Sequence, residues 1–433
     1  MKDIKLKTMG IVLSKEQKRI FNELEKSNEN YYITGKAGTG KSLLLKYMVE
    51  ETEKKVIVLA PTGVAAINVE GQTIHSFFGI GPSVQDPKDH LEIEVTYKTK
   101  EILKRVDAII IDEISMVSVD LMETINIKCQ KVRGNNLPFG GIQIICFGDL
   151  YQLPPVVSDK EIHRYLDDIY GGIFFFNAPV FKKSKLHLRE LEKNFRQKEK
   201  SFQELLNKIR IGDNSKEVLD KLNSRLGEEL PKEGYIVLAG KNEVVNRINL
   251  MKLNQIDSKE HTYKAIIEGD INRIIFPTET ELKLKVGAQI MMLTNDKTNR
   301  WVNGTLGIIT SLSDDIIKVC INDVEHAVDK YTWCKSKYFY NPFEKTLDRE
   351  IIGSFTQFPL KLAWAVTIHK SQGKTYESVF IDLESGAFDA GQTYVALSRC
   401  TSFKNLYLNN EIKASDIMIN AQVEEFMNQK REA

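Results

Sequence analysis

Residues 31–42 read YYITGKAGTGKS. Tyr31 to Thr34 make a short apolar run suited to a buried strand. The eight residues from Gly35 to Ser42 fit the spacing G-x-x-x-x-G-K-[ST], and LLLKYMVEE (43–51) continues as a helix. Glycines at that spacing let backbone N–H groups turn inward onto phosphate oxygens, and the N-terminus of the following helix adds partial positive charge. A lysine in the seventh place reaches the β- and γ-phosphates, and the hydroxyl after it ligates Mg²⁺. The stretch therefore predicts a nucleoside-triphosphate site built from Gly35, Ala37, Gly38, Thr39, Gly40, Lys41 and Ser42 at the end of an α/β strand.

Upstream, SKEQKRIFNEL (14–24) is an amphipathic helix with Ser14 and Gln17 spaced as a capping box. Gln17 is either that cap or a glutamine that hydrogen-bonds adenine, and one side chain can do both. Downstream, VIVLAP (56–61) reads as a second strand, followed by the polar, glycine-rich TGVAAINVEGQTIHSFFGIG (62–81). Thr62, Gly63, His75 and Ser76 fall at the carboxyl end of a strand, where open α/β sheets place ligands. Phe77 or Phe78 is a stacking platform for a base or a core residue. After a polar stretch, Pro82 to Lys104, the run AIIIDEISM (108–116) ends a strand on Asp112 and Glu113. Phosphate-loop enzymes need such a pair: the first carboxylate holds the Mg²⁺ shell and the second polarises the attacking water.

Met122, Ile125, Cys129 and Val132 recur at helical spacing and predict a packing helix. IQIICFGDLYQLPPV (142–156) is a third strand exit, with Gln152 where a γ-phosphate sensor would stand. LHLRELEKNFRQ (186–197) opens a second half and carries Arg196, a cation for transition-state charge or a plain surface charge. YIVLAG (235–240) is again a buried strand. Short β-rich runs from about Gly287 to Gln357 read as a small antiparallel barrel. LAWAVTIHKSQGKT (362–375) and QTYVALSRCTS (392–402) then return to α/β, with Arg399 set as an arginine donated across a cleft.

The chain has 433 residues, enough for two or three domains, with 42% hydrophobic and 27% charged residues, as in ordinary soluble proteins. With 60 basic against 59 acidic residues, any grip on nucleic acid must be a local groove and not a global field. Five scattered cysteines without a C-x-x-C pair predict reduced thiols, with neither a disulfide framework nor a zinc site. The N-terminus lacks the apolar core of a signal peptide, and no run approaches the length of a membrane span. A cytoplasmic protein is expected, in a bacterial cytosol or nucleoid.

In this order the motifs resemble those of superfamily-one helicases, and specifically the PIF (petite integration frequency) family. GKAGTGKS is similar to motif I, APTGVAA to motif Ia, IIIDEISM to motif II and FGDLYQLPPV to motif III; NFRQ, TIHKSQGKT and YVALSR are similar to motifs IV, V and VI. ISMVSVDLMETINIKCQKVRG resembles the family's own signature, but has Ser118 and Met122 where an acidic residue and an aromatic are usual. The likeness spans Gln17 to about Leu408; RecD-type helicases are the nearest relatives in pattern.

The resemblance implies an α/β fold of two RecA-like phosphate-loop domains (1–185, then 186–293 with 353–433), a small wedge at about 64–81 and an inserted Src-homology-type β-barrel (294–352). It implies a motor driven by ATP and Mg²⁺ that moves 5′ to 3′ on single-stranded DNA and opens tailed or forked duplexes, RNA–DNA hybrids and G-quadruplexes, with a monomer as its basic form. Lys41, Ser42 and Gly373 would hold the nucleotide, Ser42 and Asp112 the metal, and Glu113 the water. Gln152 would sense the γ-phosphate, with Arg196 and Arg399 as arginine fingers. Thr62, Gly63, His75, Phe77, Thr367, His369 and Lys370 would meet DNA. The competing readings are a RecD-type repair helicase and a DNA-independent phosphate-loop switch, which would need neither Arg399 nor a second α/β half.

Overall fold

The computed structural model describes residues 12–81, 95–157, 159–231, 234–269, 276–296, 298, 300–301, 303–341, 346–384 and 386–432. Residues 1–11 and the first part of the polar stretch from Pro82 lie outside them.

Six strands form the first sheet: β1 (Asn30–Gly35), β2 (Val56–Ala60), β3 (Gln72–Thr73), β4 (Ala108–Ile111), β5 (Gln143–Phe147) and β6 (Leu186–Leu191). They run parallel in the order β3-β2-β4-β5-β1-β6. Helices cover both faces, which is why these strands read as unbroken apolar runs. Tyr32, Ile109, Ile111, Ile144 and Cys146 enter one core. Their neighbours Tyr31, Ile33, Ala108, Ile110, Ile145 and Phe147 enter the opposite one.

The helices of this half are α1 (Lys15–Lys26), α2 (Lys41–Glu51), α3 (Gly63–Asn68), α4 (Ile74–Phe78), α5 (Tyr97–Leu103), α6 (Val119–Arg133), α7 (Lys160–Tyr170) and α8 (Val180–Lys183). Ser14 and Gln17 form the capping box of α1 as expected. Met122, Ile125, Cys129 and Val132 of α6 are all buried.

The second half begins with α9 (Lys200–Arg210), α10 (Lys216–Asn223), β7 (Tyr235–Ala239) and α11 (Asn242–Asn254). Antiparallel strands follow: β8 (His261–Lys264), β9 (Ile266–Gly269), β10 (Glu281–Leu284), β11 (Gln289–Met292), β12 (Leu306–Leu312), β13 (Ile317–Ile321), β14 (Val324–Val328), β15 (Tyr331–Asn341), β16 (Thr346–Gln357) and β17 (Leu360–Leu362). They make a five-stranded sheet, β14-β13-β12-β11-β17, with smaller sheets β15-β16-β9 and β10-β8. The chain then closes its second parallel sheet, β18-β7-β19-β20, with β18 (Ala365–Thr367), β19 (Ser378–Asp382) and β20 (Leu406–Leu408). Short α12 (Ile368–Ser371), α13 (Gln392–Ser398) and the C-terminal α14 (Ala421–Glu432) complete it.

Three boundaries differ from expectation. Leu186–Leu191 does not open the second half: it pairs with β1 over six residues as the edge of the first sheet. The β-insert runs from β8 to β17, well outside 294–352, because β8, β10 and β17 supply hydrogen bonds and core residues to it. Helix α14 returns to the first domain, where Val423 and Met427 join its core and Phe426 stacks on Phe176 at 4.2 Å. The segment at about 64–81, proposed as a wedge inserted in the first domain, carries β3, which pairs with β2 there.

Candidate functional site

The phosphate loop leaves β1 through three glycines with positive φ, Gly35, Gly38 and Gly40. A side chain at any of them would collide with its surroundings. A Cβ on Gly38 would lie 2.4 Å from Cβ of Arg196, and one on Gly40 would lie 2.6 Å from Nε2 of Gln17. Gln17 thus serves two structures at once: its Oε1 accepts from the Ser14 N–H and its Nε2 donates to Gly40 O at 3.2 Å. Lys41 Nζ donates to Gly35 O and Lys36 O of its own loop. Burial pushes the Lys41 ammonium below its usual pKa, while Asp149 and Glu113 act the other way. Thr39 is buried inside the loop and donates to Lys36 O, whereas Ser42 is exposed at the start of α2.

Facing the loop, β4 ends on Asp112 and Glu113. Burial and the neighbouring Glu113 push the Asp112 carboxyl up to about 7. Burial also raises Glu113, against the pull of Lys41 and Arg399. Glu113 has φ +49°, a left-handed conformation that costs a non-glycine residue about 1–3 kcal/mol and gathers at functional sites.

The segment joining the two halves and the second half contribute the cations. The loop 194–197 lies on the phosphate loop: the Phe195 N–H donates to Gly38 O at 2.8 Å and Asn194 Nδ2 to Ala37 O at 3.0 Å. Arg196 donates to Ser398 O at 3.2 Å, and burial beside Arg399 pushes it down to about 9. Arg399 is fully buried, donating to Val395 O, to the Ser398 hydroxyl and to the carbonyls of Ser371 and Lys374. Lys41, Asp112, Glu113, Arg196 and Arg399 therefore meet in one cleft between the two α/β halves. Gln152 lies at its edge, its amide 3.4 Å from Asp149 and its carbonyl against Gly391, where a Cβ would come within 2.6 Å.

Several groups in the cleft were not singled out from sequence. Asp149 forms a buried ion pair with Arg210 at 2.8 Å. Burial acts to raise the Asp149 carboxyl, but Arg210 and Lys41 outweigh it and hold the group below the usual carboxylate range. The Tyr394 hydroxyl accepts from the Ala37 N–H at 3.0 Å and donates to Asp149 at 3.5 Å, tying the phosphate loop to α13. Gln372 donates to Glu113. Phe195 is half exposed beside Gly40. Asp149 and Tyr394 lie within the quoted motifs, but Arg210 ends an ordinary amphipathic helix and carries no sequence signal.

The residues expected to meet DNA lie at the carboxyl ends of β2, β3 and β18. Thr62 accepts from the Ala65 N–H, capping α3, and Thr367 caps α12 by accepting from the Lys370 N–H. His75 and His369 are part-buried, and burial lowers both imidazoles below the usual value, with Asp120 and Asp389 opposing it. Gly63 begins α3 and Lys370 is exposed on α12. Gly373 follows with φ +76° beside Glu113. Phe77 departs from the expectation: it is 4% exposed, sits in the first core and packs edge-on against Phe78. A ring held there cannot stack on a base. It is a core residue.

Among the described residues no cluster of three or more His, Cys, Asp or Glu suited to a metal ion occurs, and all five cysteines are unpaired. No described helix is long and apolar enough to cross a membrane.

Comparison with known proteins places the chain in a family. The family model for PIF1-like helicases matches residues 12–220, and that for the 2B domain of the DNA helicase Pif1 matches residues 271–312. The ATP-dependent DNA helicase Pif1 of Bdellovibrio bacteriovorus is 34% identical over 407 residues, covering 92% of this chain and 88% of the relative. A Bacteroides Pif1 solved in complex with ADP-AlF4 superposes with a TM-score of 0.90 at 38% identity, over 97% of both chains. Bacteroides Pif1 bound to single-stranded DNA gives 0.71 at 39% identity, also over 97% of both. This chain belongs to the PIF1-like family of ATP-dependent DNA helicases.

Proposed function

We propose that this helicase binds ATP with Mg²⁺ between its two RecA-like domains and uses hydrolysis to move 5′ to 3′ along single-stranded DNA. The carrying observation is the meeting of Lys41, Asp112 and Glu113 of one domain with Arg399 of the other and Arg196 of the segment that joins them. The residues fit a triphosphate: a loop turned by three positive-φ glycines, three cations and a carboxylate pair with raised affinity for protons. When bound, Mg²⁺ offsets phosphate charge and polarises its oxygens. Ser42 and Asp112 are its protein ligands in this reading, and Lys41 grips the phosphates with the loop 35–40. Glu113 takes a proton from the attacking water, Gln152 senses the γ-phosphate, and Arg196 and Arg399 counter the charge that develops. Gln17 and the exposed face of Phe195 flank the place for adenine.

Thr62, Gly63, His75, Thr367, His369 and Lys370 form the track for DNA, reading backbone and not sequence. The β-insert is read as the family's 2B domain, with a Src-homology-type barrel. Bacteroides Pif1 has been solved with single-stranded DNA and at forked double-stranded DNA, which supports single strands and tailed or forked duplexes as substrates here. RNA–DNA hybrids and G-quadruplexes are included in the proposal, with one chain as the basic unit, acting in the cytoplasm. Similarity of 0.90 to the ADP-AlF4 complex against 0.71 to the DNA-bound form supports a domain rearrangement when DNA binds.

The test is ATP turnover with and without single-stranded DNA, beside unwinding of duplexes carrying a 5′ or a 3′ tail. Strong stimulation with unwinding from the 5′ tail alone is expected. Turnover indifferent to DNA would remove the motor reading, and unwinding from the 3′ tail would reverse its direction.

A further inference from the structure

The turn after α12 holds two catalytic groups at once. Gln372 Nε2 donates to Glu113 Oε2 at 3.2 Å, across 259 residues of sequence. The carbonyls on either side of that turn, Ser371 O and Lys374 O, accept from Arg399 Nη1 at 3.5 and 3.3 Å. Gly373, with φ +76°, leaves the other oxygen of Glu113 uncovered; a Cβ there would approach Oε1 to 3.7 Å. At its other end the Gln372 backbone N–H donates to His369 O, so the amide is one hydrogen-bonded step from the α12 residue placed on the DNA track. The Gln372 Oε1 is buried and has no hydrogen-bond partner among the described residues, so the orientation of the amide follows Glu113 and α12.

We infer that Gln372 is a positioning residue that aims Glu113 according to the place of α12, so that DNA held by α12 accelerates ATP hydrolysis through this one amide. The inference rests on reading α12 as a DNA contact. Physically, a helix of four residues is about one turn, so a shift at His369 is carried to the turn that follows it. A charged carboxylate held through one oxygen keeps the other free for the water, and an amide donor to a charged group is a strong bond. The inference adds a link between two sites with stated atoms; what gives it content is a coupling measurement.

The experiment measures kcat, the KM for ATP and the affinity for oligo-dT in the full chain, with Gln372→Leu and Gln372→Glu beside wild type. Gln372→Glu has the same shape, but its carboxylate accepts where the amide donated. Both variants should lose about tenfold or more in DNA-stimulated kcat while the KM for ATP and the DNA affinity each move less than about threefold. In a double-mutant cycle, His369→Ala should lower the stimulated kcat in wild type and have little further effect in Gln372→Leu. Wild-type stimulation in Gln372→Glu would overturn the inference, because space filling alone would then explain the contact. Additive effects in the cycle would overturn it too. Wild type without any DNA stimulation would overturn the motor reading and the inference together, which distinguishes that failure from the failure of Gln372 alone.

Discussion

The tripeptide Thr-Ile-His occurs twice, at 73–75 in the first domain and at 367–369 in the second. Each copy leaves an edge strand of its parallel sheet, β3 or β18. Each threonine caps a short helix with nearly the same backbone, φ −73° and ψ 144° against φ −72° and ψ 149°. Each isoleucine is wholly buried in the core of its own domain. The difference lies in what holds the far end. A helix of four or five residues satisfies few of its own carbonyls, so other groups must supply donors. In α4 those donors are structural: Thr99 donates to Phe77 O, and the buried Lys128 of α6 to Phe78 O. Around α12 the donor is functional: Arg399 serves the turn's carbonyls, and the turn in turn donates through Gln372 to Glu113. One copy is anchored to the core and the other to the ATP cleft. If both copies meet DNA as proposed, the two contacts should therefore have unlike consequences.

The severest way to break the second anchor is Arg399→Lys. It keeps the charge but loses the planar fork that joins α13 to the 371–374 turn. Turnover with DNA should fall by about 10³-fold or more, with nucleotide binding retained, as read by phosphate release and fluorescent-nucleotide titration. The paired histidines then sharpen the contrast. His75→Ala should weaken binding to oligo-dT several-fold while kcat at saturating DNA stays within about twofold, because α4 does not touch the cleft. His369→Ala should lower that saturated kcat as well. Equal effects on kcat would erase the distinction between the copies.

Lys128 tests the first anchor. Lys128 is 1% exposed, and burial with Lys131 nearby pushes its ammonium down to about 8. Lys128→Met leaves Phe78 O without its donor, a loss of about 1–3 kcal/mol in urea unfolding, with weaker DNA binding and ATP affinity unaltered. The smallest effect concerns pH. Burial holds both imidazoles below the usual 6.5, so they are neutral at pH 7 and gain protons only as the pH falls. Affinity for oligo-dT, measured at fixed ionic strength, should be flat from about pH 7 to 8 and should rise below about pH 6. Loss of that rise in the double variant His75→Ala/His369→Ala would assign it to this pair.

What the sequence determined by itself is local. The phosphate loop needs glycines, lysine and hydroxyl at fixed spacing because eight consecutive residues build the whole cradle. The Ser14–Gln17 cap, the Asp112–Glu113 strand end and the period of α6 are legible for the same reason. Strands buried on both faces leave apolar runs, so the α/β class was legible too. Arg196 and Arg399 stood out as candidate cations from their own segments, and the family resemblance then gave them the role of fingers, though nothing near either residue says that it is buried. Tertiary structure alone decided the rest. It decided that Leu186–Leu191 closes the first sheet, that α14 crosses back to it, and that Phe77 faces the core. It also decided that Asp149 pairs with Arg210, Tyr394 with the Ala37 N–H, and Gln372 with Glu113. Burial and the choice of hydrogen-bond partner depend on which distant surfaces meet when two domains close. No spacing along the chain records that.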